Sequence, residues 1–243
     1  MNTYPYKRLC ALASLAVATT AQAQSTAPPR TEMAPLSVLT EDDLPGLSQA
    51  KVAELMRRAR IEYRSEVLPW PRAYRRAQAD TDTCLYSTAR TPEREPLFPW
   101  VAPLRSTRWV LVGRSGDPLT RDIRTLQAAS GMTIGAYRDD AVAQFLDSQG
   151  FRVDLVETNQ QNLRKLLARR IDLWATSSTV LQSVITDPEL KDRMQVLATV
   201  REVRVFLACS LQTSAETVAR LRAASAQIEA DGTAAQLARR FPR

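Results

Sequence analysis

The strongest constraint in this sequence is an alternation of strand-like and helix-like segments along most of its 243 residues. A first series contains LSVLTED, LSQAKVAELMRRA, YRSEVLPW, PRAYRRAQAD, TCLYST and RWVLVGR. A second series begins near Asp117 and contains MTIGAY, DDAVAQFLDSQG, FRVDLVET, NQQNLRKLLARR and IDLWATSS. Strands that alternate with helices of this length predict parallel sheets flanked by helices. The two series meet near VGRSGDPLT, so we expect an α/β protein of two lobes with a cleft at the carboxyl ends of its strands.

Local signals define where the helices begin and end. The segment LSQAKVAELMRRA places its apolar residues at the i, i+3, i+4, i+7 spacing of a half-buried helix. Pro71 lies in the first turn of the next predicted helix, where a missing N–H costs nothing. Gly150 stands where the residue after a helix end is expected, and Gly232 interrupts a long helix that begins near Ser214.

The first residues have the pattern of a secretory signal peptide. Lys7 and Arg8 precede an apolar stretch that ends in a small-x-small pattern, and we expect cleavage after Ala23. A membrane anchor is the alternative, but the stretch is shorter than the roughly 20 residues that span a bilayer. We therefore expect residues 1–23 to direct export to the periplasm and residues 24–35, which are rich in proline, to form a flexible leader.

Composition excludes several classes of protein. The chain has no histidine, which rules out a catalytic triad that uses one and makes a zinc site improbable with so few thiols. We expect no metal and no cofactor. The formal net charge is +7, but the arginines are scattered among acids, which argues against nucleic-acid binding. Cys84 and Cys209 remain after cleavage, and the sequence leaves open whether they form a disulfide or two buried thiols.

With these segments in view, the chain resembles the periplasmic solute-binding proteins of family 3, the polar amino-acid receptors of ABC uptake systems. The resemblance runs from about Leu36 to the end and is carried by VLPWPRAYRRA, STARTPERE, FPWVAPL, TIGAYRDDAVAQFLDSQGF, RRIDLWATS and EADGTAAQLARRF. It implies two α/β lobes of the type II arrangement, each a mostly parallel sheet, joined by two hinge strands. Lobe 1 would contain residues 36–113 and 203–243, and lobe 2 residues 114–202. The resemblance also implies a monomer that delivers a solute to an inner-membrane permease.

The family supplies a candidate anchor for the ligand. In this family a T-x-E-R run after the third strand gives an arginine to the ligand's carboxylate, and here that run is Thr91 to Arg94. A guanidinium can meet a carboxylate through two parallel N–H···O bonds. Ser87 and Ala89 would line the same edge, because they end the preceding strand. The alternative is that Arg94 pairs with a surface acid.

Further contacts follow from the same resemblance. Trp70 and Arg72 fall near the cleft in lobe 1. Tyr137, Arg138 and Asp139 precede a helix whose N-terminus the family directs at its ligand. Asp139 or Asp140 would be the N-cap of that helix. The strand that follows Asp172 ends in Thr176 and Ser177, which are the remaining candidate contacts.

Two departures from the family pattern bear on function. Ser177 stands where amino-acid receptors carry an aspartate for the ligand's ammonium, and the segment between the first strand and the first helix is short. We expect a receptor for a small, anionic or zwitterionic, amino-acid-like solute. A periplasmic sensor or accessory protein that acts through a protein partner is the alternative. An enzyme would need a poised acid or base, for which Glu93, Asp139 and Asp140 are the candidates, but no spacing marks them as catalytic.

Overall fold

The computed structural model describes Met1, residues 35–41 and residues 46–241. The predicted signal peptide and leader, apart from Met1 and Pro35, lie outside the described residues. Residues 35–243 form one compact unit. Within the described residues no helix is both long enough and apolar enough to cross a bilayer.

The strands form one mixed sheet. Their bounds are β1 Leu36–Thr40, β2 Tyr63–Val67, β3 Thr83–Ala89, β4 Trp100–Arg114, β5 Thr133–Tyr137, β6 Arg152–Val156, β7 Leu173–Ser177 and β8 Met194–Cys209. Their spatial order is β2-β1-β3-β8-β4-β7-β5-β6. The strands β1, β2 and β3 pair in parallel at one end, and β5, β6 and β7 do so at the other. The sheet confirms the predicted α/β class.

The helices connect these strands and cover both faces. Their bounds are α1 Leu47–Ala59, α2 Trp70–Ala79, α3 Ala141–Ser148, α4 Asn159–Leu167, α5 Ser178–Val184, α6 Pro188–Asp192, α7 Ala215–Ala230 and α8 Thr233–Arg240. We call the part built on β1–β3 the first lobe and the part built on β5–β7 the second lobe. Their exact boundaries in the chain stay a prediction.

The strands β4 and β8 belong to both lobes. They pair with each other in antiparallel fashion along nearly their whole length, from Trp100 opposite Ala208 to Arg114 opposite Met194. β8 also pairs with β3 of the first lobe, and β4 pairs with β7 of the second. β4 starts earlier than the predicted segment RWVLVGR. The two lobes are thus joined by a continuous two-stranded ribbon.

Each lobe has apolar layers on both faces of its sheet. In the first lobe, Val52 and Leu55 of α1 pack with Leu221 and Ile228 of α7 against the sheet, so the long C-terminal helix lies on this lobe as the family implies. The opposite face carries an aromatic layer from α2 and β4, and Tyr137 of the second lobe is part of it. The second lobe packs α3 on one face and α4 on the other.

The helix ends follow the predicted signals. Pro71 lies in the first turn of α2. Gly150 and Gly232 have φ values of 78° and 79°, the left-handed region that glycine adopts without strain. They follow the ends of α3 and α7.

The two cysteines form a disulfide. Cys84 of β3 and Cys209 of β8 occupy directly opposed positions in the ladder, and neither has any exposed surface. The bond resolves the alternative that the sequence left open. It links positions 125 residues apart in the chain.

Candidate functional site

A cavity of about 1150 Å³ lies between the two lobes and beside the β4–β8 ribbon. The first lobe lines it with the ends of β1 and β3 and with the N-terminal parts of α1 and α2, and the second lobe lines it with residues at the starts of α3, α4 and α5. These are the carboxyl ends of parallel strands, where open α/β sheets bind ligands. The cavity therefore lies where the sequence predicted the cleft.

Arg94 is the most deeply buried charge on the cavity wall, with 1% of its surface exposed. Its Nε donates to Oε1 of Gln144 over 3.1 Å, and its Nη2 donates to the carbonyl of Asp139 over 2.7 Å. Its guanidinium carbon lies 4.7 Å from the ring centre of Tyr74. Burial lowers the pKa of Arg94, and the charges of Tyr74 and Asp140 act in the opposite direction. The Nη1 atom is buried and has no hydrogen-bond partner among the described residues.

These bonds change the expected geometry of a ligand contact. A bidentate carboxylate would need two adjacent N–H groups of the guanidinium. Nε and Nη2 of Arg94 already donate to the second lobe. Nη1 makes no hydrogen bond to the described residues, and Nη2 keeps a second N–H group beside it.

Trp70 and Tyr137 bring the two lobes into contact beside Arg94. The backbone N–H of Trp70 donates to the Tyr137 hydroxyl over 3.2 Å, and Trp70 Nε1 donates to the Asp139 carbonyl over 2.9 Å. Asp139 has a φ of 60°, and its side chain lies 3.6 Å from Arg75 in an ion pair. The left-handed conformation of Asp139 accompanies a carbonyl that accepts from both Trp70 and Arg94.

Two carboxylates line the same end of the cavity. Asp140 occupies the N-cap position of α3, so the predicted position is confirmed. Burial raises the pKa of Asp140, and the charge of Arg94 lowers it in part. Glu41 accepts a hydrogen bond from the Tyr137 hydroxyl, and burial and the Glu41 charge together raise the pKa of that hydroxyl. This end of the cavity thus carries both signs of charge.

Arg105 and a group of hydroxyls form the part of the cavity beside the ribbon. Arg105 of β4 donates from Nε to Ser48 Oγ of α1 over 3.2 Å and from Nη1 to Thr179 of α5, so it connects both lobes. The hydroxyl of Ser177 accepts from the N–H of Val180 over 3.1 Å as the N-cap of α5. The Ser177 oxygen is therefore engaged by its own helix.

The structure brings together part of the predicted set. The predicted contacts that line the cavity are Trp70, Ser87, Ala89, Arg94, Tyr137 and Ser177. Ser87 has a φ of 59° where the register of β3 against β8 shifts. Such a bulge commonly redirects a side chain next to a functional site.

The other predicted contacts lie elsewhere. Arg72 is on the exposed face of α2, and Arg138 is exposed and paired with Glu157. Thr91 lines a separate cavity of about 250 Å³. Thr176 is buried within the second lobe with 1% exposure. Asp139 contributes its carbonyl to the interlobe contacts rather than its carboxylate to the cavity wall.

Sequence reasoning missed several lining residues: Glu41, Ser48, Arg105, Ser178 and Thr179. Glu41 follows β1 directly, and its position at the carboxyl end of a strand could have predicted that it lines the cavity. Arg105 had no such signal, since it lies inside a long strand whose first half the sequence pattern did not predict.

Comparison with known proteins supports the fold. No protein-family model matches the sequence, and no curated protein matches it either. Solved structures do match. A histidine kinase sensor domain with similarity to periplasmic binding proteins superposes with a TM-score of 0.75 at 15% identity, covering 85% of this chain and 95% of that one.

Two amino-acid-binding structures are similar to a comparable degree. The arginine-, lysine-, histidine-binding protein ArtJ from Geobacillus stearothermophilus matches with a TM-score of 0.72 at 14% identity, over 86% of this chain and 95% of that one. The GluR0 ligand-binding core from Nostoc punctiforme, in complex with L-glutamate, matches with a TM-score of 0.71 at 18% identity, over 85% and 99% of the two chains. At identities this low, the structural similarity establishes the fold alone. The predicted two-lobed architecture is thereby confirmed.

Proposed function

We propose that this protein is an exported solute-binding protein, similar to those of family 3, that captures a small amino-acid-like solute in its interlobe cleft. The solute carries a carboxylate. An inner-membrane ABC permease is the partner that receives it. The architecture, the cleft at the strand ends and the amino-acid-binding neighbours support this proposal.

The single observation that carries the proposal is the unpaired Nη1 of Arg94. A buried donor without a partner costs about 1–3 kcal/mol, and more when the group is charged. Arg94 lies on the wall of a 1150 Å³ cavity, so a carboxylate that displaces the groups covering Nη1 would satisfy it. An anionic group at this position would also offset the burial that lowers the pKa of Arg94.

The charges around the cavity favour a solute with both signs. The described lining residues include five cationic and three acidic side chains, and the excess favours an anionic or zwitterionic solute. Asp140 and Glu41 lie at the Arg94 end and are suited to an ammonium group. Since Ser177 is engaged as a helix cap, we place the ammonium near these two carboxylates instead.

Isothermal titration calorimetry tests the proposal directly. The purified protein is titrated with a panel of arginine, lysine, glutamine, glutamate and small dicarboxylates. We expect one of them to bind, and Arg94→Ala to weaken that binding about tenfold to a hundredfold, because hydrogen bonds to charged groups contribute about 1.5–3 kcal/mol. Arg72→Ala, an exposed arginine outside the cavity, is the matched control and should bind as the wild type does.

Two results would contradict the proposal. One is that no member of the panel binds a protein whose circular dichroism shows it to be folded. The other is that Arg94→Ala and Arg72→Ala bind the same solute equally well.

A sensor function is the second candidate, and the direct contacts between the lobes favour it. Trp70 and Arg94 of the first lobe donate directly to the second lobe. A sensor domain is also among the structural neighbours. Deleting the gene separates the two candidates: a transport receptor is needed for uptake of the bound solute, whereas loss of a sensor leaves uptake intact and changes the response to the solute.

A further inference from the structure

The two lobes are joined by a compact set of hydrogen bonds at the Arg94 end of the cleft. The participating residues are Trp70 and Arg94 of the first lobe and Asp139 and Gln144 of the second, and we call them the interlobe latch. We propose that this latch holds the cleft closed in the absence of solute. The significance of closure for solute capture rests on the proposed function.

The centre of the latch is the carbonyl oxygen of Asp139. It accepts from Arg94 Nη2 over 2.7 Å and from Trp70 Nε1 over 2.9 Å. A carbonyl has two lone pairs, so both bonds can form at once. The φ of 60° at Asp139 is uncommon for a residue other than glycine, although aspartate is among those that adopt it more readily. This conformation is part of the loop that presents the carbonyl to the first lobe.

The side chains around this carbonyl are held by further contacts. Arg94 Nε donates to Gln144, and its guanidinium lies near the rings of Trp70 and Tyr74. Trp70 and Tyr74 stack with their centroids 5.7 Å apart. Since the ring contacts of Arg94 and Trp70 lie within the first lobe, they reduce the side-chain entropy that closing the latch costs.

Breaking the latch would remove the hydrogen bonds of Arg94 to the second lobe. Arg94 has 1% exposure, and an open cleft would remove both of its hydrogen bonds to the second lobe. Water would replace those partners, so the net gain from each bond is about 0.5–1.5 kcal/mol, and somewhat more where the donor is charged. Several such bonds together are enough to make the closed form the major one in a two-state equilibrium.

The latch also determines what a solute encounters. With Nε and Nη2 engaged, Arg94 is held in one orientation on the cavity wall, and Nη1 is the nitrogen of its guanidinium without a partner among the described residues. Preorganisation of this kind strengthens binding because the solute does not have to order the site. A partner that recognises the closed form would also recognise the protein without solute.

Small-angle X-ray scattering of the solute-free protein tests the latch. We compare the wild type with Trp70→Phe, which removes the Nε1 donor and keeps an aromatic ring, and with Gln144→Ala, which removes the acceptor for Arg94. We expect a closed wild type, and for each variant an open-to-closed ratio raised about fivefold to tenfold, seen as a larger radius of gyration.

Matched controls separate the latch from general damage. Trp100→Phe removes an indole donor that bonds within the first lobe, to the Glu95 carbonyl over 3.2 Å. Gln160→Ala removes an exposed glutamine from α4 of the second lobe. Both controls should scatter as the wild type does, and thermal melts should show that all four variants fold.

The outcomes distinguish this inference from the proposed function. If the solute-free wild type is as open as Trp70→Phe and Gln144→Ala and contracts only with solute, the latch is overturned and the receptor proposal stands. If the controls open as far as the latch variants do, the latch is also overturned. If the wild type is closed without solute and the variants open, the latch is supported even when no solute is found.

Discussion

Removing the Cys84–Cys209 disulfide should cause one of the largest losses of stability available in this protein. The bond joins residues 125 apart in sequence, and it connects β3 of the first lobe to β8, the strand that both lobes share. In the chain-entropy description, a cross-link restricts the unfolded ensemble in proportion to the logarithm of the loop length. For a loop of this length the relation gives about 5 kcal/mol at 25 °C.

The native state should tolerate the change in structure. Both cysteines are fully buried in the layer between the sheet and helices α1 and α7, and alanine at both positions keeps that layer apolar. The strand pairing around them does not depend on the sulfur atoms. We therefore expect the double variant Cys84→Ala with Cys209→Ala to fold, with a free energy of unfolding lower by about 5 kcal/mol.

Equilibrium urea unfolding measures the effect. Three samples are compared: the oxidised protein, the same protein with a reductant, and the double alanine variant. The m-value should rise in the last two, because an unfolded chain without the cross-link exposes more surface. A loss smaller than about 1 kcal/mol in the double variant would refute the loop-entropy reasoning for this bond.

Other predictions concern the second lobe. Gly135→Ala would place a Cβ 2.4 Å from Ile171 Cδ1 and 2.5 Å from Asn162 Oδ1, so we expect a loss of about 1–3 kcal/mol in urea unfolding; an unchanged midpoint would show that these side chains move aside freely. Asp140→Asn should stabilise the protein at pH 7. Burial raises the pKa of Asp140, so the folded state holds this proton more tightly than the unfolded state, and the wild type loses stability as pH rises through the folded pKa. Melts at pH 4 and pH 7 should show a gain for Asp140→Asn that grows with pH, and an equal or smaller gain at pH 7 would contradict the raised pKa. Thr158→Ala should lower stability by about 1 kcal/mol, because Thr158 and Gln161 form a capping box at the start of α4; melts that coincide with the wild type would contradict this.

Much of the fold could be predicted because local signals and global structure agree. Pro71 marks the first turn of α2, and Gly150 and Gly232 follow the ends of α3 and α7. The alternation of strands and helices predicts parallel pairing within each lobe. Such consistency between local preference and tertiary arrangement allows the fold to be predicted from the sequence.

The long ribbon could not be read from the sequence to the same degree. The first half of β4 contains Pro103 and Arg105, and the first half of β8 contains Arg201. Polar residues at these positions face the cavity or solvent. The sequence there therefore lacks the apolar alternation from which a strand is predicted. Several register shifts between the two strands interrupt the alternation further.

The residues of the candidate site could likewise be predicted only in part. Arg94, Ser87 and Ala89 follow from a motif at a strand end, and the structure places them on the cavity wall. Arg72 and Arg138 lie next to cavity residues in the chain, but their side chains turn outward. Which of two neighbouring residues faces the cleft depends on the local backbone, such as a helix turn or the left-handed conformation of Asp139. A sequence motif does not contain this information.

A crystal structure of the protein grown with the tightest-binding solute of the panel tests the central claim most directly. We expect the solute to lie between the lobes, with its carboxylate within hydrogen-bond distance of Arg94 Nη1 and its ammonium beside Asp140 or Glu41. A solute bound outside the cavity, or one that leaves Nη1 without a partner, would contradict the account.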